Sequence, residues 1–361
     1  MSAEVLRPAE PPARGTSGPS RRGLPPLARY LLVRAALVPL MVWILVSVVF
    51  LLLRVIGDPI TAAQGGRLTA DQIAERKAAA GLDRPLLVQY GEYLGGLLRG
   101  DFGSTLTDNR PISQVLLVNG AATLELAFYA LIVAFAVGIP LGRLAARHRD
   151  RVPDVSLRLF AIVAYAAPVF FVGLLLKLAF TPFGWPSSGR VSTGTALTLS
   201  QVSPRTNILL TDAILWGEPR YVLEVLQYAM LPAIALGLLT GGVFLRLVRI
   251  NLLQTLRAEY VTAARARGMR ERTVVRKVAF RNALVPVVTV MGMQVAMLLA
   301  GAVLTETTFE WNGIGYQLAE YLKARDFLAV QGIVTVIAVV VAVASFLIDV
   351  IVALVDPRVR F

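Results

Sequence analysis

The sequence has no cysteine and a single histidine, His148. The first absence excludes disulfides and thiolate metal sites, and the second excludes a multi-histidine metal site or a histidine relay. His148 sits in a polar stretch and reads as a solvated loop residue. No lysine follows a glycine, so there is no Walker A phosphate loop. The G-x-S-x-G and H-E-x-x-H patterns are missing too. The chain thus carries no signature of ATP hydrolysis, nucleophilic catalysis or metal-assisted hydrolysis. Acidic residues are also in deficit: 23 against 36 lysines and arginines, a net charge of +13. A surplus of that size suits nucleic acid, but no aromatic-interleaved basic groove accompanies it. Its placement along the chain explains it better.

Hydrophobic residues make up 56% of the 361, where a soluble domain has about 45–50%. The excess falls in runs long enough to cross a bilayer, since about 20 residues at ~1.5 Å each cover ~30 Å. The expected fold is all-α and polytopic, with six transmembrane helices. Residues 1–28, rich in Pro, Gly, Ser and Arg, read as a disordered cytoplasmic tail. The first span is 29–56, an uncleaved anchor. An extracytoplasmic region, 57–118, follows. Thr69 and Gln72 form a candidate capping box for a helix through Ala80, and a second amphipathic helix is expected over 85–98. The remaining core, 119–355, holds helices at about 121–142, 157–180, 225–247, 283–305 and 330–354. Pro168 is expected to kink the third span. Residues 181–222 read as an outer loop. Twenty-three lysines and arginines fall on the segments assigned inside and eleven on the outer loops, which places both termini in the cytoplasm.

Charges in or near spans are costly. Arg54 and Lys177 lie near outer span ends and can snorkel. Asp349 lies toward the inner end of the sixth span. Glu125, one turn into the second span, can line a pathway or pair with a neighbouring helix.

The organising stretch is 246–286, which carries ten basic residues. Its middle reads as a short helix, 258–267, with small residues Ala263, Ala264 and Ala266 on one side. Gly268 stands where a left-handed cap belongs, and a second helical segment is expected over 270–282. A basic loop that only sets topology fits these features. So does a knob that another protein approaches closely, its carboxylates meeting fixed arginines.

The order Thr262-Ala263-Ala264, Gly268 and Val278-Ala279-Phe280 resembles the EAA loop of ABC-importer permeases. Thr262 in place of glutamate and Arg281 in place of proline are similar to the dipeptide/oligopeptide (and nickel) branch. So are Gly81-Leu82-Asp83, Gln89-Tyr90, Gly100-Asp101-Phe102-Gly103 and Arg110-Pro111, which fall in that branch's order. Glu306 to Gly315 and Arg325-Asp326-Phe327 through Gln331-Gly332 are similar to further family segments, with Asn312 and Leu328 where proline is usual. The closing Val355-Asp356-Pro357-Arg358 also matches in type.

The resemblance implies a type I ABC-importer permease fold in a bacterial plasma membrane. It implies a permease subunit, not an enzyme, that works by alternating access and most often imports di- or oligopeptides. Nickel or another small solute on the same architecture, or a proton-coupled secondary transporter, are the alternatives. Implied partners are a second homologous permease, cytoplasmic ATPase subunits, an extracytoplasmic peptide-binding protein and the lipid bilayer, with no nucleic acid. ATP and Mg would sit on the ATPases, and this chain would bind no cofactor or metal. By the same resemblance Glu259, Tyr260, Thr262, Ala263, Ala264, Arg265 and Gly268 would couple to the ATPase. Glu306, Phe309, Trp311, Gly313 and Gly315 would gate the outer mouth or meet the binding protein, and Glu125 is the pathway candidate.

Reporter fusions at His148 and Gly268 should report cytoplasm, and fusions at Leu106 and Thr195 the opposite side. Protease access to Gly268 from outside intact, outer-membrane-free cells would overturn this topology.

Overall fold

The computed structural model describes residues 26–57, 60–61, 68–79, 81–203 and 205–355. Most of the expected N-terminal tail and the closing Asp356-Pro357-Arg358 lie outside them. The described residues are helices joined by turns. They are α1 (Pro26–Ile56), α2 (Ala70–Ala79), α3 (Leu86–Leu98), α4 (Ile112–Arg147), α5 (Val152–Ala166), α6 (Val169–Phe180), α7 (Thr193–Leu199) and α8 (Leu209–Trp216). Next come α9 (Pro219–Thr255) and α10 (Glu259–Ala266), then a helical turn at Glu271–Thr273 and a π-helical segment, Val274–Ala279. These lead into α11 (Phe280–Phe309), α12 (Ile314–Lys323) and α13 (Phe327–Val355).

Among the described residues α1, α4, α9 and α13 are each long and apolar enough to cross a membrane, and α5 with α6 make a fifth, broken candidate. The expected span at 283–305 falls on α11, which at 30 residues is about 45 Å long. Burial ranks the helices. Two-thirds (67%) of the apolar window of α9 is inside the molecule, against 17% for α1 and for α13. So α9 is the centre of the bundle, and α1 and α13 pair at its rim. There Arg34 meets Asp349 at 3.2 Å, which brings the first turns of α1 beside the last turns of α13.

The centre is a crossing of α4 and α9 made by glycines. A Cβ on Gly138 would lie 2.7 Å from the Gly241 carbonyl oxygen, and one on Gly142 2.7 Å from that of Leu245. From the other side, a Cβ on Gly237 would lie 2.6 Å from the Ala130 carbonyl oxygen. Each pair is spaced four residues apart, so both glycines fall on one face and the backbones meet. Ala122, Ala130, Ala229, Ala233 and Ala302 continue the small-residue packing into the core around Trp311.

The third span is not one kinked helix. It breaks at Ala167-Pro168 into α5 and α6, whose axes differ by 106°. Ala167 is extended at φ −71°, ψ 130°, the conformation that the following proline ring imposes. The second segment of the 246–286 stretch does not stop at 282 either; it runs on into α11. The 181–222 stretch, expected as an outer loop, holds α7 and α8, and α9 begins within it at Pro219. Leu209 and Ala213 of α8 pack on Tyr221 and Val225 of α9. In contrast, the Thr69–Gln72 capping box forms as written, with Thr69 N to Gln72 Oε1 at 3.0 Å and Gln72 N to Thr69 Oγ1 at 3.4 Å.

Two substitutions one turn apart on α9 test the crossing. Gly237→Ala adds a methyl against backbone and should destabilise by roughly 1–3 kcal/mol. Gly241→Ala meets its nearest atom at 3.5 Å, an ordinary contact, and should be tolerated. Thermal midpoints of the solubilised protein compare them; equal midpoints would refute the backbone contact.

Candidate functional site

Two groups of residues draw attention, one at each end of the bundle. At one end, α10 projects between α9 and the π-helical segment. Its closure is a full Schellman motif: Gly268 N donates to Arg265 O at 2.9 Å and Met269 N to Ala264 O at 3.3 Å. Gly268 has φ +76°, which a side chain would strain by about 1 kcal/mol. The Arg265 guanidinium grips Glu271 with two bonds, Nε to Oε2 at 3.0 Å and Nη2 to Oε1 at 2.8 Å. That hydrogen bond holds the Glu271 carboxyl below its ordinary range. Arg265 therefore ties the knob across its own turn, and its carboxylate partner belongs to this chain.

The faces of α10 are opposite in kind. Val261 and Ala264 point inward, into a cluster with Ala146, Leu252, Val274, Ala279 and Ala283. Glu259, Tyr260, Thr262, Ala263 and Ala266 are exposed. Of the three alanines expected on one approachable side, Ala264 is thus a core residue. The reason is periodicity: it lies three residues from Val261, on the same stripe.

At the other end stands a knot of buried polar groups around the end of α11. Glu306 is fully buried. It accepts from Thr123 Oγ1 at 2.6 Å and from Tyr316 N at 2.9 Å. Thr123 Oγ1 in turn accepts from Ile314 N at 2.8 Å. Trp311 is fully buried and donates Nε1–H to the Ala122 carbonyl at 2.9 Å. Phe309 is buried against Gly173, whose Cβ would lie 2.9 Å from its ring. Lys177, expected to snorkel, instead donates to the Thr308 carbonyl at 2.9 Å and caps the last turn of α11. A Cβ on Gly313 would lie 2.3 Å from Glu306 Oε1, and one on Gly315 2.5 Å from Val303 Cα. Glu306, Phe309, Trp311, Gly313 and Gly315 are therefore all interior. Glu310 and Asn312, between them in sequence, are exposed. Asn312, where proline was expected, has a role of its own. Asn119 Nδ2 donates to its carbonyl and its side-chain oxygen at 2.9 and 3.0 Å, and Gln317 Nε2 to the latter at 2.6 Å.

Glu125 is buried in the same knot, and every interaction found for it is a pairing. It accepts from Arg190 Nη2 in a short ion pair, from Tyr129 OH at 2.9 Å and from Leu210 N at 2.9 Å. Leu209 N lies at 3.3 Å. The partner is thus an arginine of the 181–222 stretch and the first turn of α8, not a neighbouring span. Arg190 also sits over the Trp311 ring, 5.4 Å from its centroid. Sequence reasoning missed Arg190 because a lone loop arginine carries no local signal. It also missed Asp154 and Asp326. Asp154 is fully buried and takes two bonds from Arg249, at 2.6 and 2.7 Å. Asp326 caps α13 through Ala329 N at 3.1 Å, and its other oxygen accepts from Leu106 N and Thr107 N at 2.6 and 2.9 Å.

Residues 138–361 match the family model described as binding-protein-dependent transport system inner membrane component. Residues 27–113 match the model of the N-terminal part of such membrane components. The chain is 38% identical over 308 residues to the dipeptide transport system permease protein of Escherichia coli (strain K12), covering 84% of this chain and 90% of that one. It is 38% identical over 315 residues to the di/tripeptide transport system permease protein of Pseudomonas aeruginosa (strain UCBPP-PA14), covering 86% and 92%. A probable D,D-dipeptide transport system permease protein of Escherichia coli (strain K12) is 35% identical over 307 residues, covering 84% and 88%.

Removing Arg190 strands a buried carboxylate, which costs about 3–5 kcal/mol. Arg190→Ala should lower the thermal midpoint markedly, and adding Glu125→Gln should restore part of the loss. An unchanged midpoint in Arg190→Ala would show that the pair holds nothing together.

Proposed function

Because the chain belongs to the family of binding-protein-dependent transport system inner membrane components, we propose that it is a permease subunit of an ATP-driven importer of di- or oligopeptides. The observation that carries the reading is the 38% identity, across most of both chains, to permeases of dipeptide and di/tripeptide transport systems. The chain is a multi-pass membrane component and not an enzyme. Its proposed partners are a second homologous permease, ATPase subunits that hold ATP and Mg, and an extracytoplasmic peptide-binding protein. Both termini and α10 lie on the cytoplasmic side in this reading.

The proposed coupling surface is the exposed face of α10: Glu259, Tyr260, Thr262, Ala263 and Ala266. Its small alanines allow close approach by an ATPase surface, and Tyr260 supplies apolar area beside them. Ala264, Arg265 and Gly268 act behind that face by fixing its aim. Through Ala146 and Leu252, the cluster under α10 joins the inner ends of α4 and α9. A displacement of α10 is therefore passed to the two central helices as rigid bodies. The bidentate Asp154–Arg249 pair carries α5 along with α9. At the outer end, α4 meets the Glu306 and Glu125 networks, so a tilt of α4 against α11 would work on that knot. This assigns Glu306, Phe309, Trp311, Gly313 and Gly315 to the gate as interior hinge packing.

Ala263→Asp and Ala264→Asp separate docking from folding. The first places a charge on the exposed face. It should reduce co-purification of the ATPase subunits and peptide-stimulated hydrolysis at least tenfold with the thermal midpoint unchanged. The second buries an unpartnered carboxylate and should lower the midpoint. Wild-type co-purification and hydrolysis in Ala263→Asp would remove the coupling role from α10. Uptake of labelled dipeptide by proteoliposomes of the whole complex, with and without ATP, tests the substrate and the energy source together.

A further inference from the structure

Helix α3 carries three different stripes. On the first, Tyr90 and Tyr93 clasp Phe50 of α1, with ring centroids 5.2 and 5.7 Å from its own. The Tyr90 hydroxyl bonds to Ser47 Oγ of α1 and the Tyr93 hydroxyl to Thr335 Oγ1 of α13, each at 2.5 Å. A second stripe is Leu87, Leu94 and Leu98, spaced to share one flank of a helix. Leu87 is 85% exposed and Leu98 90%. A Cβ on Gly91, between them, would meet nothing. The opposite flank carries Glu92, paired with Arg84, and ends at the exposed Arg99.

The tyrosines fix the level at which this helix lies. The apolar windows of α1 and α13 are Leu31–Val55 and Phe327–Val350. Ser47 lies eight residues inside the first and Thr335 eight residues inside the second, a depth of ~12 Å. Phe50, fully buried against both tyrosines, lies ~7 Å in. The windows exceed a ~30 Å hydrocarbon core by only about 7 Å, so each end can rise ~3 Å out of it and the contacts remain inside. At this same level Val48, Leu51 and Leu52 of α1 are uncovered. An apolar flank, a charged flank and a place at the core boundary are together the pattern of a helix lying in a membrane interface.

We propose that α3 is embedded in one leaflet of the bilayer, with Leu87, Leu94 and Leu98 in the acyl chains of the lipids and Glu92 and Arg99 toward the headgroups. The occupant of its open flank is lipid hydrocarbon. Held there, α3 clamps α1 to α13, two helices whose own windows are only 17% buried. The 57–118 segment would then belong to the membrane surface as much as to the aqueous side. The proposal rests on α1 and α13 crossing the membrane and is independent of the solute carried.

The chain has no cysteine, so one introduced cysteine carries one nitroxide label. Leu87→Cys, Leu98→Cys and Glu92→Cys, labelled in the permease complex in phosphatidylcholine nanodiscs, are read by collision with oxygen, which concentrates in hydrocarbon, and with a water-soluble nickel chelate. At 87 and 98 oxygen should relax the label more than the chelate does, and at 92 the order should invert. Chelate collisions at 87 and 98 as frequent as at 92 would put the helix in water and overturn the proposal. Slow collision with both reagents at 87 and 98 would put another protein chain on the flank and overturn it too. Each leucine position reads the flank by itself, so the loss of one variant to misassembly leaves the other to decide. No transported solute enters the measurement, so its failure is distinct from failure of the peptide reading.

Discussion

The approach of α4 to α9 is the constraint on which the remaining structure hangs. Two backbones can come within van der Waals contact only where side chains are absent, and Gly138, Gly142 and Gly237 supply that absence. In a bilayer there is no hydrophobic gain from moving a leucine off lipid onto another leucine, so dispersion at close range and internal hydrogen bonds hold helices together. The crossing supplies the first. It also places the C-terminal ends of α4 and α9 under α10 and sets α4 beside α11 at the opposite end.

Buried charges supply the second. Glu125 with Arg190, and Asp154 with Arg249, lock opposite ends of the same helix set. Inside a protein an unpaired charge is destabilising by several kcal/mol, while a well-bonded pair is close to neutral against apolar packing. Such pairs contribute more to specificity than to stability. They define which loop sits on which helix, and they penalise any packing that separates them. Glu306, bonded by Thr123 and Tyr316, does the same between α11, α4 and α12. A transporter that moves rigid helices against one another needs both properties: firm bodies, and contacts between them that exist in discrete arrangements.

Much of this was readable in the chain. The apolar runs gave the long helices α1, α4, α9 and α13, because length and hydropathy are local properties. The Thr69–Gln72 capping box and the Gly268 cap were readable for the same reason, since each involves residues within one turn. The kink at Pro168 was legible in kind but not in size. A proline removes one hydrogen bond and biases the residue before it, yet the 106° break depends on what the two halves pack against. α7 and α8 were missed because their apolar faces are too short to register without the α9 surface that covers them.

By itself, the sequence determined that this is an all-helical, multi-pass membrane chain of a recognisable importer family with a capped, basic, helical loop. Those are statements about composition, about spacing within a few turns, and about residues in order. Only the tertiary structure decided which way each residue faces and whom it meets. It turned Ala264 inward while Ala263 stayed exposed, buried Trp311 and Glu306 beneath a turn that looked like a surface loop, and gave Glu125 its arginine 65 residues further on. It also gave Asn312 a partner in Asn119. The physical reason is range. Capping and hydropathy act between near neighbours, whereas burial and the pairing of charges are set by groups that the chain order keeps far apart and only helix packing brings together.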